Sequence, residues 1–218
     1  WLWNHRDEGF RAPEAKRPAD EILRQGHWDV LILQLFGRAP EVSAEFGAKY
    51  AAAAHEGNPK CRVFVFANYP AIGKQREKAD QWVERWLSET GRKGRATFEK
   101  VARGISAKFP DKPPVRIIPV GEVMYRLHQQ MQKGKVPGFS HVAELYADGV
   151  HLKAEGKYVE AVTHYATVFG DDPHGTITAG LRFWRGPYEV KEPFAERVWD
   201  VVWEVVTTYE PAGVEIAD

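Results

Sequence analysis

The sequence is poor in cysteine, carries no excess charge of either sign and lacks a long hydrophobic run. Its single cysteine, Cys61, excludes an internal disulfide and a cysteine-based metal knuckle. The 30 Lys and Arg residues balance the 30 Asp and Glu residues, and the basic residues are scattered along the chain. Because no basic stripe is present, we expect no nucleic-acid partner.

Each apolar segment is interrupted by Asp, Gln or Arg within the length of a strand. A helix needs about 20 apolar residues to cross a bilayer, so we expect no membrane-spanning segment and no membrane partner. The sequence begins Trp1-Leu-Trp-Asn-His, without an initiator Met or the apolar core of a signal peptide. We therefore expect a leader to be absent or already removed together with further sequence, and this segment does not indicate a compartment.

The chain does contain enough apolar sequence for a core. Of its 218 residues, 44% are hydrophobic and 12% are aromatic, which is typical of a globular protein. A chain of this length can bury a full core as one domain. No repeat, low-complexity tract or linker divides the sequence, so we predict a single domain over residues 1–218.

Three continuous apolar segments predict strands that are covered on both faces, as in a parallel sheet. These segments are residues 28–36, 62–68 and 115–120. Helical periodicity or composition predicts helices over residues 14–25, 41–55, 74–90, 97–109, 122–132, 158–169 and 194–205.

Strands and helices therefore alternate along the chain, as expected when right-handed crossovers wind helices around a parallel sheet. We predict an α/β fold, a three-layer sandwich in which a parallel, flavodoxin-like sheet carries helices on both faces. Three strands make a thin sheet, so we also expect a first strand to be missing.

Ligands of parallel sheets bind at the carboxyl ends of the strands. Four residues at or just beyond the predicted strand ends are candidate site residues: Gln34, Gly37, Asn68 and Glu122. Asp148 and His151 follow in a loop that crosses back over the same edge. A carboxylate beside an imidazole fixes its tautomer and stabilises the imidazolium, so this pair predicts a general base.

Spacing alone does not establish that role. A loop Asp that caps a turn, followed by a His packed on the next helix, gives the same Asp-x-x-His pattern. The surrounding sequence favours the catalytic interpretation.

The segment around Asp148-Gly-Val-His151, with Gly156 placed to let the next helix pack closely, resembles the final sequence block of the SGNH (GDSL-like) hydrolases. Residues 28–34 resemble the strand of that family's third block, in a branch with Gln at the strand end. Residues 115–122 resemble the strand before the acid–His loop. The resemblance covers about residues 28–170.

The resemblance implies an esterase that cleaves a small-molecule or carbohydrate ester and needs no cofactor. His151 would be the general base and Asp148 its orienting acid, with Gln34 as an oxyanion-hole donor in place of the usual Asn. Gly37, Asn68 and Glu122 would complete the oxyanion or substrate-binding set.

The chain departs from the family in its nucleophile. The family's Ser lies in a Gly-Asp-Ser or Gly-Asn-Ser turn after the first strand, and its second block supplies an oxyanion Gly; neither occurs here. Ser140 is the one serine in a loop near the dyad. Because residues 1–10 resemble sequence that follows the second block, we expect the first strand to be lost or supplied by another chain. An open sheet edge then predicts a homo-oligomer or a companion segment that completes the sheet.

Two other functions stay open. Glu122, Glu144 and Asp148 could act as carboxylates on an activated water, for example on glycosides. The chain could also be a non-catalytic relic that binds carbohydrate or a partner through loop aromatics, namely Trp1, Trp3 and Trp184.

Two further groups of residues are better explained by structure. His141, His151 and His164 fit no common zinc spacing, so we predict no metal site. The tryptophan pairs at helical spacing, Trp82 with Trp86 and Trp199 with Trp203, are predicted to lie in the core or in an interface.

Overall fold

The structure is a computed structural model that describes residues 18–35, 39–72, 81–90, 94–179, 181–183 and 186–215. Within these residues seven α-helices, five strands and two 3₁₀ helices are described. They are α1 (Ala19–Gln25), β1 (Val30–Gln34), α2 (Pro40–Gly57), β2 (Arg62–Phe66), α3 (Gln81–Leu87), α4 (Arg95–Ser106), β3 (Arg116–Ile118), α5 (Val120–Gln132), a 3₁₀ helix (Val142–Leu145), α6 (Ala154–Phe169), β4 (Leu181–Phe183), β5 (Gly186–Tyr188), α7 (Glu192–Thr208) and a second 3₁₀ helix (Glu210–Ala212).

The first three strands form a parallel sheet in the order β1-β2-β3, and β4 pairs with β5 as a separate antiparallel hairpin. β1 and β2 pair in register from Val30 opposite Arg62 to Gln34 opposite Phe66. This architecture confirms the predicted α/β class and is consistent with a three-layer, flavodoxin-like sandwich. Among the described strands, β1 pairs with β2 alone and lies at the edge of the sheet.

The chain forms two compact units, and the first consists of Trp1–Phe66 and Thr97–Arg116. In this unit α1 packs closely against α2. A Cβ at Gly57 would lie 2.4 Å from the carbonyl oxygens of Leu23 and Gly26, so the contact needs glycine there. Arg24 on α1 also binds the Glu56 carboxylate on α2 at 2.7 Å.

The second unit consists of Ala67–Ala96 and Ile117–Asp218, and α5, α6 and α7 pack against one another within it. Its largest fully buried side chains are Ile72, Trp82, Trp86, Ile117, Ile118, Met124, Leu127, Leu145 and Tyr146. The Trp82 and Trp86 rings stack with centroids 6.4 Å apart, which confirms that this pair belongs to the core.

The end of β2 is joined to the turn between β3 and α5. Ala67 donates its N–H to the Ile118 carbonyl at 3.0 Å and accepts the N–H of Gly121 at 2.9 Å. β3 ends at Ile118 because Pro119, the residue directly before α5, has no N–H to continue a ladder. Asn68 and Glu122 are thereby held on neighbouring segments at one edge of the second unit.

Several boundaries differ from the sequence prediction. α5 begins at Val120 rather than 122, and α6 begins at Ala154 rather than 158. The predicted helix 74–90 is described only over Gln81–Leu87, since residues 73–80 lie outside the described part. The β4–β5 hairpin was not predicted. The single-domain assignment stays a prediction.

Candidate active site

The Asp–His loop is a short closed turn between the first 3₁₀ helix and α6. Tyr146 and Leu152 form an isolated antiparallel bridge at its base. Ala147 donates its N–H to the His151 carbonyl at 2.8 Å, and Lys153 donates to the Leu145 carbonyl at 2.8 Å. These bonds fix both ends of the loop, so its two polar side chains stand on an ordered backbone.

Asp148 makes three hydrogen bonds inside this turn. Its Oδ1 accepts the backbone N–H groups of Val150 at 2.7 Å and His151 at 2.8 Å. Its Oδ2 lies 2.8 Å from Nδ1 of the His151 ring. The backbone N–H of His151, then its ring, then the N–H of Val150 lower the pKa of Asp148 to about 2, so this carboxylate is ionised at neutral pH.

The geometry combines features of both interpretations of the motif. Asp148 does cap a turn, as the structural alternative requires, but the His151 side chain is 79% exposed rather than packed on a helix. An ionised Asp148 at Nδ1 favours the tautomer with the proton on Nδ1, which leaves the lone pair on Nε2. Nε2 makes no hydrogen bond within the described residues, so it can accept a proton from a nucleophile.

Gly156 lets α6 start directly behind this loop. A Cβ at this position would lie 2.8 Å from the Leu145 carbonyl oxygen and 3.0 Å from Cβ of Leu152. Both neighbours belong to the base of the Asp–His loop. The predicted role of this glycine in close packing is confirmed.

The segment that follows β2 is hydrogen-bonded to the Asp–His loop. Ile72 donates its N–H to the Gly149 carbonyl at 2.9 Å. The same segment carries Asn68, whose buried Oδ1 has no hydrogen-bond partner within the described residues. The structure therefore links one predicted strand-end residue to the dyad loop through a short stretch of backbone.

Glu122 is buried rather than open to a ligand, with 3% of its surface exposed. Its Oε2 accepts the Trp86 Nε1–H at 2.9 Å and lies 3.5 Å from the Arg95 guanidinium. Its Oε1 lies 3.3 Å from Arg126 Nε. These are the contacts of a carboxylate that holds helices together, and a substrate-binding role for Glu122 stays a prediction.

Of the other two candidates, only Gln34 is described, and it belongs to the first unit. Gln34 is the last residue of β1 and is exposed. Gly37 lies outside the described residues. The oxyanion role of both residues stays a prediction.

None of the described serines is hydrogen-bonded to His151. Ser140 donates its hydroxyl to Glu144 Oε1 at 2.7 Å, within the capping box of the 3₁₀ helix. Ser106 accepts the Val115 N–H at 2.9 Å, and Ser43 is buried within α2. The Ser140 hydroxyl is therefore engaged at the start of the 3₁₀ helix, and these contacts do not place a serine beside His151.

His174 provides an informative contrast, because carboxylates contact both of its ring nitrogens. Nδ1 lies 2.5 Å from Asp172 and Nε2 lies 3.1 Å from Asp200, which Arg197 also binds at 3.0 Å. An imidazole must carry two protons to donate to two carboxylates. His174 is therefore a structural cation, whereas only one nitrogen of His151 is engaged.

The two contacts of His174, with Asp172 and with Asp200, are called the His174 clamp, and they predict that the free energy of unfolding depends on pH. Its hydrogen bond with Asp172, then that with Asp200, raises the pKa of His174 above the ordinary 6.5. The stabilisation is therefore complete below the ordinary pKa and is lost as the pH rises through the raised value. His174→Gln should lower the urea midpoint at about pH 6 and leave it unchanged at about pH 9. An equal loss at both pH values would contradict the clamp.

Two further histidines and Trp199 also have structural contacts. His141 caps the 3₁₀ helix by accepting the Ala143 N–H at 3.0 Å, and His164 Nδ1 bonds the Glu160 carbonyl at 2.8 Å. Trp199 donates to the Tyr158 hydroxyl at 2.8 Å. Within the described ranges, no three His, Cys, Asp or Glu side chains are grouped as metal ligands.

Sequence reasoning missed two features around the site. The buried Tyr146 joins the Asp–His loop to Trp82 and Pro70 through its hydroxyl. The β4–β5 hairpin is tied to the first turn of α6 by a 2.5 Å bond from the Tyr188 hydroxyl to Glu155. Neither contact leaves a local signal, because the partners lie 33 to 76 residues apart in the chain.

Comparison with known proteins supports the fold and assigns no activity. No protein-family model and no curated protein matches the sequence. The chain is similar to the crystal structure of a DUF4886 family protein from Bacteroides uniformis ATCC 8492, with a TM-score of 0.53 and 11% sequence identity. The similarity covers 89% of this chain and 68% of that one. At this identity the likeness shows the α/β fold alone.

The structure also bears on the predicted absence of a membrane partner. No helix in the described part of the chain combines the length and the apolar composition needed to cross a bilayer.

Proposed function

We propose that this protein is an ester hydrolase of the SGNH type in which His151 is the general base and Asp148 orients it. The observation that carries the proposal is the 2.8 Å contact between Asp148 Oδ2 and Nδ1 of His151, whose side chain is 79% exposed. A histidine held by a carboxylate on one nitrogen is the usual activator of a hydroxyl nucleophile.

The proposed reaction proceeds in two acyl-transfer steps. His151 Nε2 takes the proton of a serine hydroxyl while the serine oxygen attacks the ester carbonyl carbon. The imidazolium, stabilised by Asp148, gives that proton to the departing alcohol as the acyl–oxygen bond breaks. His151 then deprotonates a water, whose oxygen attacks the acyl carbon. The imidazolium gives that proton to the serine oxygen as the acyl–serine bond breaks, which releases the carboxylic acid and restores the serine hydroxyl.

The serine is proposed to come from a companion segment or a second chain that completes the sheet. The edge strand β1 supports this part of the proposal, because an unpaired strand edge exposes N–H and C=O groups that favour added strands. Ile32 in β1 is 42% exposed and Trp28 just before it is 46% exposed. Exposed apolar side chains on an edge strand are typical of surfaces that become covered.

Light scattering tests whether a second chain pairs with this one in solution. The purified protein should have a mass above the 24.8 kDa of one chain. Ile32→Lys should lower the assembled fraction, because a lysine on an edge strand opposes strand addition. Val42→Lys is the matched control, since Val42 is 36% exposed and lies on α2 in the same unit. A monomer at micromolar concentration in the unmodified protein would contradict a homo-oligomer.

Substrate panels test the reaction class. The proposal predicts turnover of p-nitrophenyl acetate and of acetylated sugars, with inhibition by a serine-directed phosphonate. A protein that cleaves p-nitrophenyl glycosides and resists the phosphonate would instead act through carboxylates and water. Both oxygens of Glu122 are already bound to Trp86, Arg95 and Arg126, so its contacts do not support that route. No turnover on either panel by the protein prepared together with the chain that completes its sheet would contradict the proposed function.

A further inference from the structure

Tyr146 stands directly before the Asp–His loop and is fully buried, with 0% of its surface exposed. Its hydroxyl accepts the Nε1–H of Trp82 at 2.7 Å and donates to the carbonyl of Pro70 at 2.7 Å. One phenol therefore connects α3, the segment after β2 and the base of the Asp–His loop. Both of its partners would be buried without a hydrogen bond if the hydroxyl were removed.

The same two segments meet at two further points. Ile72 donates its N–H to the Gly149 carbonyl at 2.9 Å, inside the Asp–His loop itself. The ring of Tyr69 packs edge-on against the ring of Tyr146, with centroids 5.5 Å apart. Residues 69–72 therefore contact the Asp–His loop at Gly149 and contact the base of that loop at the buried Tyr146.

The Asp148 and His151 side chains are largely exposed, so few packing contacts fix their positions. The side chains of His151 and Asp148 are 79% and 58% exposed, and Val150 between them is 55% exposed. An exposed loop keeps a fixed geometry only where its ends are anchored. The anchors here are the Tyr146–Leu152 bridge and the hydrogen bonds to the segment after β2.

We propose that Tyr146 is a positioning residue for the Asp148–His151 pair, and that its hydroxyl keeps the Asp148 carboxylate on Nδ1 of His151. The proposal rests on the proposed role of His151 as general base. Without the hydroxyl, Trp82 Nε1 and the Pro70 carbonyl can regain hydrogen bonds only if water enters or the segments move apart. The loop then moves, because Tyr146 is part of its base.

The Tyr146 hydroxyl can donate its hydrogen bond to the Pro70 carbonyl at every pH at which the protein would work. Burial raises the pKa of Tyr146 well above its ordinary value, so the phenol keeps its proton and donates to Pro70 across the working pH range. Phenylalanine preserves the ring and its contact with Tyr69 but removes this donor. Tyr146→Phe therefore isolates the hydroxyl from the packing of the ring.

Tyr158→Phe is the matched control. Tyr158 is 2% exposed, and its hydroxyl accepts the Nε1–H of Trp199 at 2.8 Å. It shares with Tyr146 a buried bond from a tryptophan, but it joins α6 to α7 instead of the segment after β2 to the dyad loop. Urea unfolding, ring ¹⁵N NMR of His151 and ester kinetics are measured on both variants, at an alkaline pH where an ordinary imidazole is neutral.

We expect both variants to have lower urea midpoints. Only Tyr146→Phe should change the His151 ring from the Nδ1–H tautomer to a mixture of tautomers. The same variant should lower kcat by about 10-fold with a smaller effect on KM, because misplaced groups lose catalysis more than binding.

An unchanged His151 tautomer in Tyr146→Phe, or an equal change in Tyr158→Phe, would overturn the positioning role. The NMR comparison needs no substrate. Absence of ester turnover in the unmodified protein would therefore contradict the proposed function and leave the positioning role to be decided by the tautomer. If Tyr146→Phe does not fold, Trp82→Phe removes the donor to the same hydroxyl, and an unchanged tautomer there overturns the proposal.

Discussion

His151→Ala is expected to lower kcat/KM for p-nitrophenyl acetate by about 100- to 10,000-fold, the usual range for loss of a general base. Alanine has no group that can take the proton of the nucleophile. The His151 side chain is 79% exposed, so its removal should leave the stability nearly unchanged. Initial rates together with urea unfolding of the same preparation separate lost catalysis from lost folding.

His174→Ala is the control for this experiment. His174 is another exposed histidine beside carboxylates, with 44% of its side chain accessible, but both of its ring nitrogens are engaged. Assayed at alkaline pH, where the His174 clamp is already lost, this variant should retain full activity. Equal activity of His151→Ala and the unmodified protein would remove His151 from the mechanism.

Gly121→Ala is expected to destabilise the second unit by about 3 kcal/mol, as a strongly overpacked core position does. A Cβ at residue 121 would lie 2.2 Å from Cζ3 of Trp86. Trp86 is 1% exposed and is held by its 2.9 Å bond to Glu122, so the ring cannot turn aside without leaving a buried carboxylate poorly paired. Urea denaturation measures the loss.

A double-mutant cycle tests the stated cause. Trp86→Leu removes the six-membered ring whose atoms Gly121 approaches. In that background the added cost of Gly121→Ala should fall below about 1 kcal/mol, because residues in contact do not act additively. The same cost in both backgrounds would show that the collision with Trp86 is not the reason glycine is needed.

The parts of the account that could be predicted from sequence are local. Asp148 and His151 are three residues apart, so a turn alone can bring the carboxylate to the ring, and the structure shows that contact. The family resemblance implied that Gly156 permits close packing, and the structure shows that a Cβ there would lie 2.8 Å from the Leu145 carbonyl oxygen. The parallel strands followed from their continuous apolar runs.

Contacts between distant residues could not be predicted in the same way. The Tyr146 hydroxyl meets Pro70 and Trp82, which lie 76 and 64 residues away in the chain. No periodicity or spacing encodes which buried N–H or carbonyl a tyrosine will reach. The apolar pattern predicts the surrounding helices. How those helices pack determines which groups the Tyr146 hydroxyl can reach.

The burial of Glu122 is a second feature that the sequence did not predict. Its place just after a predicted strand suggested an exposed group at the ligand edge. The structure buries it under Trp86 and beside Arg95 and Arg126, because α5 begins at Val120 and turns residue 122 into the interior.

The β4–β5 hairpin escaped prediction because its strands have three residues each, and one contains a proline. Short strands carry too little alternation to be distinguished from a loop, and proline argues against a strand assignment. The hairpin is nevertheless fixed to α6 by the bond from Tyr188 to Glu155. Tertiary contacts rather than local propensity stabilise it.

The measurement that tests the central claim most directly is covalent labelling by a fluorophosphonate, read by intact mass and peptide mapping. A preparation of the unmodified protein together with the chain that completes its sheet should gain one adduct, on the serine of the completing chain. The same preparation of His151→Ala should gain none, because the serine is no longer activated. Equal labelling of both proteins, or ester turnover by a protein that takes no label, would contradict a serine mechanism driven by the Asp148–His151 pair.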